Sequence, residues 1–174
     1  MTQPATENER IRSYLQAQAA KLSVPELMDK VRTDSQQLLG AARAAEAVDN
    51  LERPSPEDWC VNEVLNHVRT SCVGINAGII AAALHGGRPA PIADRIVAAN
   101  ESREPVEWFN LIHDEREATF AQLDSVTGAE HLTVKWEHPF FGELNWREWL
   151  LFLRLHDLDH ARQVQRIVET LTSR

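Results

Sequence analysis

NWREWLLFLRLHDLDHARQVQRIVETL, residues 145–171, decides how the rest of the chain is read. Trp146, Trp149, Leu153, Val164, Ile167 and Leu171 mark a stripe that returns every three or four residues. That period describes a helix with one buried face. His156 and His160 occupy the stripe where Leu or Val would be expected. A polar ring buried there costs free energy unless something satisfies it. Residues four apart on a helix have Cβ atoms about 5–6 Å apart, so both imidazoles can reach one metal ion. The spacing alone decides nothing, because 7 histidines in 174 residues give roughly 0.3 such pairs by chance.

Outward from this segment the chain reads as helices. Residues 1–22 form a leading arm, helical over Ile11–Lys21. Ser23 caps a second helix with Pro25 in its first turn, running to about Val48 on Leu27, Val31, Leu38, Ala41 and Ala45. A third starts near Pro56 or Val61 and reaches about Leu84, with Val61, Val64, Leu65, Val68, Cys72, Ile75 and Ile79 on its buried stripe. His85-Gly86-Gly87 ends it, and RPAPIAD follows as a loop. Pro105 opens a fourth, Val106 to about Leu123. His131–Trp136 alternates apolar and polar residues and predicts a strand, after which Pro139 and Gly142 turn the chain. The expectation is an all-α domain over residues 23–174: a four-helix bundle with a short extended excursion before the last helix.

Composition narrows the classes. Apolar content of 43% excludes wholesale disorder. A formal charge of −8, with no Lys and Arg run to reverse it, argues against a nucleic-acid partner. No stretch reads as a membrane span, and MTQPATENERIRSYLQ lacks the apolar segment of a signal peptide, so a cytoplasmic location is expected. Cys60 and Cys72 form no CxxC pair and read as small buried hydrophobes.

Two histidines do not make a site, and a third ligand should come from a facing helix. His67 is the candidate, three residues after Val64 and one before Val68, at the edge of that helix's stripe. Three histidines with an open fourth position are the pattern of a reactive rather than a structural zinc site. His85, His113, His131 and His138 read as surface or capping residues.

Two segments carry a resemblance. WCVNEVLNHV, Trp59–Val68, is similar to the W-[ST]-x-x-E-[VIL]-x-x-H-[VL] stretch of the DinB-like superfamily. HPFFGELNWREWLLFLRLHDLDHARQVQRI, His138–Ile167, resembles its C-terminal signature, H-x-x-x-H-x-x-Q-[IVL] preceded by an HPxxG-type turn. That superfamily includes bacterial thiol-dependent transferases and the maleylpyruvate isomerase N-terminal domain. The resemblance implies an up-down-down-up four-helix bundle, often a homodimer, with zinc or nickel held by His67, His156 and His160. Cys60 departs from the pattern, standing where Ser or Thr usually caps the helix; Ser55 and Asp58 are expected to cap instead.

HDLDH also invites comparison with the HExxH of zinc proteases. Asp157 is one methylene shorter than the required Glu, and Gln163 and Arg166 stand where the extended motif needs Gly and His neighbours. The remaining chemistry follows from what a divalent ion does to a thiol: it deprotonates it without a protein base. A low-molecular-weight thiol cosubstrate attacking a small electrophile is the leading expectation. Water activation, giving a hydrolase, and a non-catalytic metal-binding dimer are the alternatives. Gln163, three beyond His160, is the expected catalytic residue, contacting substrate or water at the ion. Glu63 is a candidate partner for the second nitrogen of His67, and Thr70 and Ser71 are candidate cavity walls. Trp146, Trp149 and Phe152 exceed what one bundle seam needs and point to a dimer interface.

Overall fold

The structure, a computed structural model, describes residues 6–90 and 101–174. Its elements in order are α1 (Glu7–Lys21), α2 (Val24–Ala45), α3 (Val61–His85), α4 (Pro105–Leu123), β1 (Lys135–His138), β2 (Gly142–Asn145) and α5 (Trp146–Thr172). The molecule is thus mainly helical, as expected, with one small antiparallel sheet. The last four residues of the expected RPAPIAD loop lie outside the described residues.

Local chemistry explains the helix starts. Ser23 accepts from the Glu26 amide while the Glu26 carboxylate accepts from the Ser23 amide at 2.7 Å, which satisfies donors the helix leaves open. Asn145 does the same for α5, its side chain accepting from Arg147 and Glu148 at 3.0 and 3.1 Å. The α3 start differs from expectation. Ser55 and Asp58 do not cap it; the Cys60 amide donates to Glu63 at 2.9 Å, and the Asn62 amide donates to the Asn50 carbonyl at 3.0 Å. Gly86 ends α3 at φ 63°, a left-handed position with the His131 ring so near that a Cβ would collide with it.

Helix α5 packs on α2, α3 and α1, and α4 packs on α2 and α3. Leu15 of α1 is fully buried, and Arg147 clips this helix down by donating to the Ala19 carbonyl at 2.7 Å and to Leu22. Helix α3 is long and apolar enough to cross a bilayer by length and composition, contrary to the sequence expectation. Its buried stripe, from Val61 to Ala83, packs on α4 and α5, and Val73 is exposed.

The strand moved. Residues 131–133 form a turn, and the ladder instead brackets Pro139-Phe140-Phe141, pairing Trp136 with Leu144 and His138 with Gly142. The apolar alternation of Leu132 and Val134 gives half-buried side chains, but a ladder needs a second strand, and the turn before Gly142 supplies one only for residues 135–138.

The expected dimer surface is corrected outright. Trp146, Trp149 and Phe152 are buried within the chain, with Trp136 of the hairpin stacked on Trp149 at 5.1 Å. The aromatic surplus on α5 serves the hairpin above it.

Candidate metal centre

The phase of α5 is the first determinant of the site. Leu150, Leu153, Asp157, Ala161 and Val164 point to the centre of the molecule, and His156 and His160 sit half-buried on the flank facing α3. The seam therefore passes one position away from the histidine stripe expected from sequence. His67, on the second turn of α3, comes up against both.

The three rings converge. Centroids lie 4.5 Å apart for His156 and His160, 5.5 Å for His67 and His156, and 5.0 Å for His67 and His160. One nitrogen from each ring falls within 4.8 Å of the other two. Ligand nitrogens about 2.0–2.1 Å from a tetrahedral ion are about 3.4 Å apart, so small rotations of the imidazoles close the difference. Trp59 stands edge-on to His67 at 5.3 Å, and Phe152 lies 5.7 Å from His156. The site thus has an aromatic ring against His67 and another against His156.

Electrostatics set the protonation state. Burial holds His156 well below its ordinary value, reinforced by the neighbouring His160 and His67. Burial lowers His160 too, opposed in part by its hydrogen bond to Gln163. Neutral imidazole is the form that binds metal. His156 carries a further sign: its Nδ1 is buried with no hydrogen-bond partner. A buried nitrogen with an unmet lone pair or proton has to be satisfied by something.

Gln163 presents its amide oxygen 2.9 Å from His160 Nδ1. An amide oxygen only accepts, so that contact places the proton on Nδ1 and leaves the Nε2 lone pair for an ion. Other expected residues are placed elsewhere. Glu63 is committed to the Cys60 amide and to Arg53. Thr70 is exposed and donates to Asn66 at 3.0 Å. Ser71 is half-buried on α3. Of the remaining histidines, His85, His113 and His131 are exposed. His138 is not a surface residue: it is buried under Phe141 and Phe152, and its Nδ1 accepts from the Phe140 and Phe141 amides at 3.1 and 3.3 Å.

One polar group was missed from the sequence altogether. Asp157, fully buried, takes Arg116 in a two-pronged pair at 2.6 and 3.0 Å. Arg116 also donates to Ser35 at 3.0 Å and to the Cys72 sulfur at 3.2 Å. This node draws one residue from each of α2, α3, α4 and α5. The signal available was Arg116 itself, a charge spaced four from Ile112 and four from Phe120 on an otherwise apolar stripe.

Cys72, His156 and Asp157 also bring one ligand atom each to within 4.8 Å of one another. Charge decides against that second set. Both Asp157 oxygens are held by a guanidinium, and burial pushes the Cys72 thiol up to about 11, so a second cation has no free anionic ligand there. Burial likewise raises Cys60.

Beside the histidines runs a groove of about 220 Å³ lined by Pro54, Asp58, Trp59, Gln163, Arg166, Ile167 and Thr170. Among known proteins, no family model matches this chain and no curated protein matches it.

Proposed function

We propose that the chain is a divalent-metal-dependent enzyme of the DinB-like four-helix type, with His67, His156 and His160 holding zinc or nickel. Its proposed reaction is transfer of a low-molecular-weight thiol to a small electrophile. The observation that carries this is the convergence of three imidazoles from two helices, with a buried His156 nitrogen that has no hydrogen-bond partner. The two motif segments support the family reading, as does the packing of α2 on α5, α5 on α3, α3 on α4 and α4 on α2.

A divalent ion supplies Lewis acidity that ionises a thiol at neutral pH. The protein's own tasks are then to orient ligands, exclude water and place the substrate. Gln163 orients His160. Trp59 and Phe152 shield His67 and His156. No base is needed for thiol attack, which agrees with Asp157, the carboxylate next to His156, being turned into the core and bound to Arg116. A hydrolase would want that carboxylate at the ion, and its commitment to Arg116 favours the thiol reading.

The test is metal analysis of untagged protein, followed by turnover of electrophiles with and without glutathione, bacillithiol or mycothiol. One equivalent of metal and thiol-dependent turnover are expected. Turnover without thiol would move the assignment to hydrolysis. Silence from fully loaded protein would leave a non-catalytic metal-binding bundle.

A further inference from the structure

From the groove beside the histidines, we infer that it binds the zwitterionic amino-acid head of the small thiol. The inference rests on the thiol reading of the preceding section and names which thiols the site takes.

The floor of the groove continues the ligand face of α5. His156 and His160 are followed by Gln163, Arg166, Ile167 and Thr170 at spacings of three and four, so these side chains share one surface. Its other wall is Pro54, Asp58 and Trp59. Two of these residues touch the ligands themselves: Trp59 packs on His67, and Gln163 bonds His160. A molecule seated in the groove is therefore one side chain away from the histidine cluster.

The wall is held in place before any guest arrives. Arg53 donates to the Asp58 carbonyl at 2.6 Å and pairs with Glu63, and Arg174 at the end of α5 donates to Glu52 and to the Pro54 carbonyl. Such a preformed wall spares a ligand the cost of ordering it.

Charge then selects the guest. Arg166 and Asp58 line one groove, yet neither has an ion-pair partner among the described residues. Gln163 spends its oxygen on His160, which leaves its amide nitrogen to donate. Thr170 spends its proton on the Arg166 carbonyl at 2.8 Å, which leaves its oxygen to accept. The donors Arg166 and Gln163 suit a carboxylate, and the acceptors Asp58 and Thr170 suit an ammonium. An α-amino acid carries both on one carbon. About 220 Å³ is roughly seven waters' worth of liquid volume, enough for a γ-glutamyl or cysteinyl head. An uncharged sugar-linked thiol offers neither group.

The experiment follows the five Trp indole signals of ¹⁵N-labelled full-length protein during titration with S-methylglutathione, whose sulfur cannot ionise. Trp59 is the half-buried member of the five, and Trp59→Phe assigns its signal. The expected result is a saturable shift of Trp59, present with and without metal. Binding should weaken at least tenfold in Arg166→Gln and in Asp58→Asn, both exposed positions where the fold is kept. An unmoved Trp59 at millimolar probe overturns the proposal. So does equal binding by the variants, or equal competition from the N-acetyl dimethyl ester of the same probe. A responsive groove in protein that shows no thiol-dependent turnover keeps this site and removes the thiol reaction; turnover with a silent groove does the reverse.

Discussion

Asp157 and His156 are neighbours in sequence and opposites in structure. Asp157 faces the centre and is met by Arg116, which Ser35 and Cys72 then help to satisfy. His156 faces α3, stands in a ring of aromatic and imidazole groups, and has a buried nitrogen that no side chain meets. Both are polar groups among apolar helices. The node pairs both Asp157 oxygens and both terminal nitrogens of Arg116 among its own residues and leaves only Arg116 Nε without a partner, whereas the histidine cluster leaves a ring nitrogen open beside two further imidazoles. A buried charge met by an opposite charge is structural, and an open nitrogen ringed by further metal-binding side chains is where a ligand is to be sought.

The sharpest way to break the contrast is to open the node. Asp157→Ala would strand Arg116 in the core at 2% exposure, and removal of one partner of a buried pair costs about 3–5 kcal/mol. Urea unfolding should show that loss. Arg116→Met with Asp157→Leu should recover most of it, since neither charge then remains. A single variant as stable as the parent would show that neither charge depends on the other.

Metal should act on the other region alone. An ion that binds only the folded chain stabilises it by about 4 kcal/mol at a thousandfold excess over its Kd. Zinc or nickel should therefore raise the Tm of the parent strongly and that of His156→Ala hardly at all. Retention of a full equivalent of metal by His156→Ala would remove that residue from the ligand set.

His138 links the hairpin to pH. Its Nδ1 accepts two amide protons, and burial lowers its pKa to about 4, from the ordinary 6.5. The unfolded chain takes up the proton near pH 6.5 while the native chain resists it to about pH 4. Stability contributed by the neutral ring is thus complete above pH 6.5 and declines as pH falls through that window, by about 3 kcal/mol in total. Gln in its place accepts the same amides without titrating. The acid slope of His138→Gln should be shallower than the parent's over pH 6.5–4, and parallel slopes would refute the role given to His138. Every other group is common to the two proteins, so the difference isolates the hairpin.

What could be read from the sequence was what depends on near neighbours. Ser23 with Pro25 announces α2, the three- and four-residue spacing announces each long helix, and the His-x-x-x-His pair announces two rings on one face. The phase of α5 was not available, because whether residue 156 or residue 157 points inward depends on how α5 settles on α2 and α3. Asp157 in isolation looks like a solvated charge; only Arg116, 41 residues away, makes it a core residue. The hairpin was half legible for the same reason. Pro139 and Gly142 mark its turn, but which flanking residues pair depends on a strand that has no pattern of its own. Trp146, Trp149 and Phe152 pointed to an interface because what meets them, Trp136–Phe141 for Trp149 and Phe152 and the Glu130 carbonyl for Trp146, is remote in pattern though close in space.

Gln163 gives the smallest effect and the finest test of the contrast. Sequence spacing made it a residue that touches the guest; the structure places its oxygen on His160 Nδ1. If its main work is to fix that ring, Gln163→Ala should lower metal affinity by about 10–100-fold, the usual cost of losing a ligand's hydrogen-bond partner. Gln163→Glu should restore affinity, because a carboxylate oxygen accepts the same proton and makes the ring a stronger donor to the ion. If Gln163 instead works only on the bound substrate, both variants should keep the parent's affinity and lose kcat. Competition titration with a chelating dye separates the two. A fall in affinity rescued by Glu assigns Gln163 to the histidine cluster, while unchanged affinity in both variants returns it to the groove.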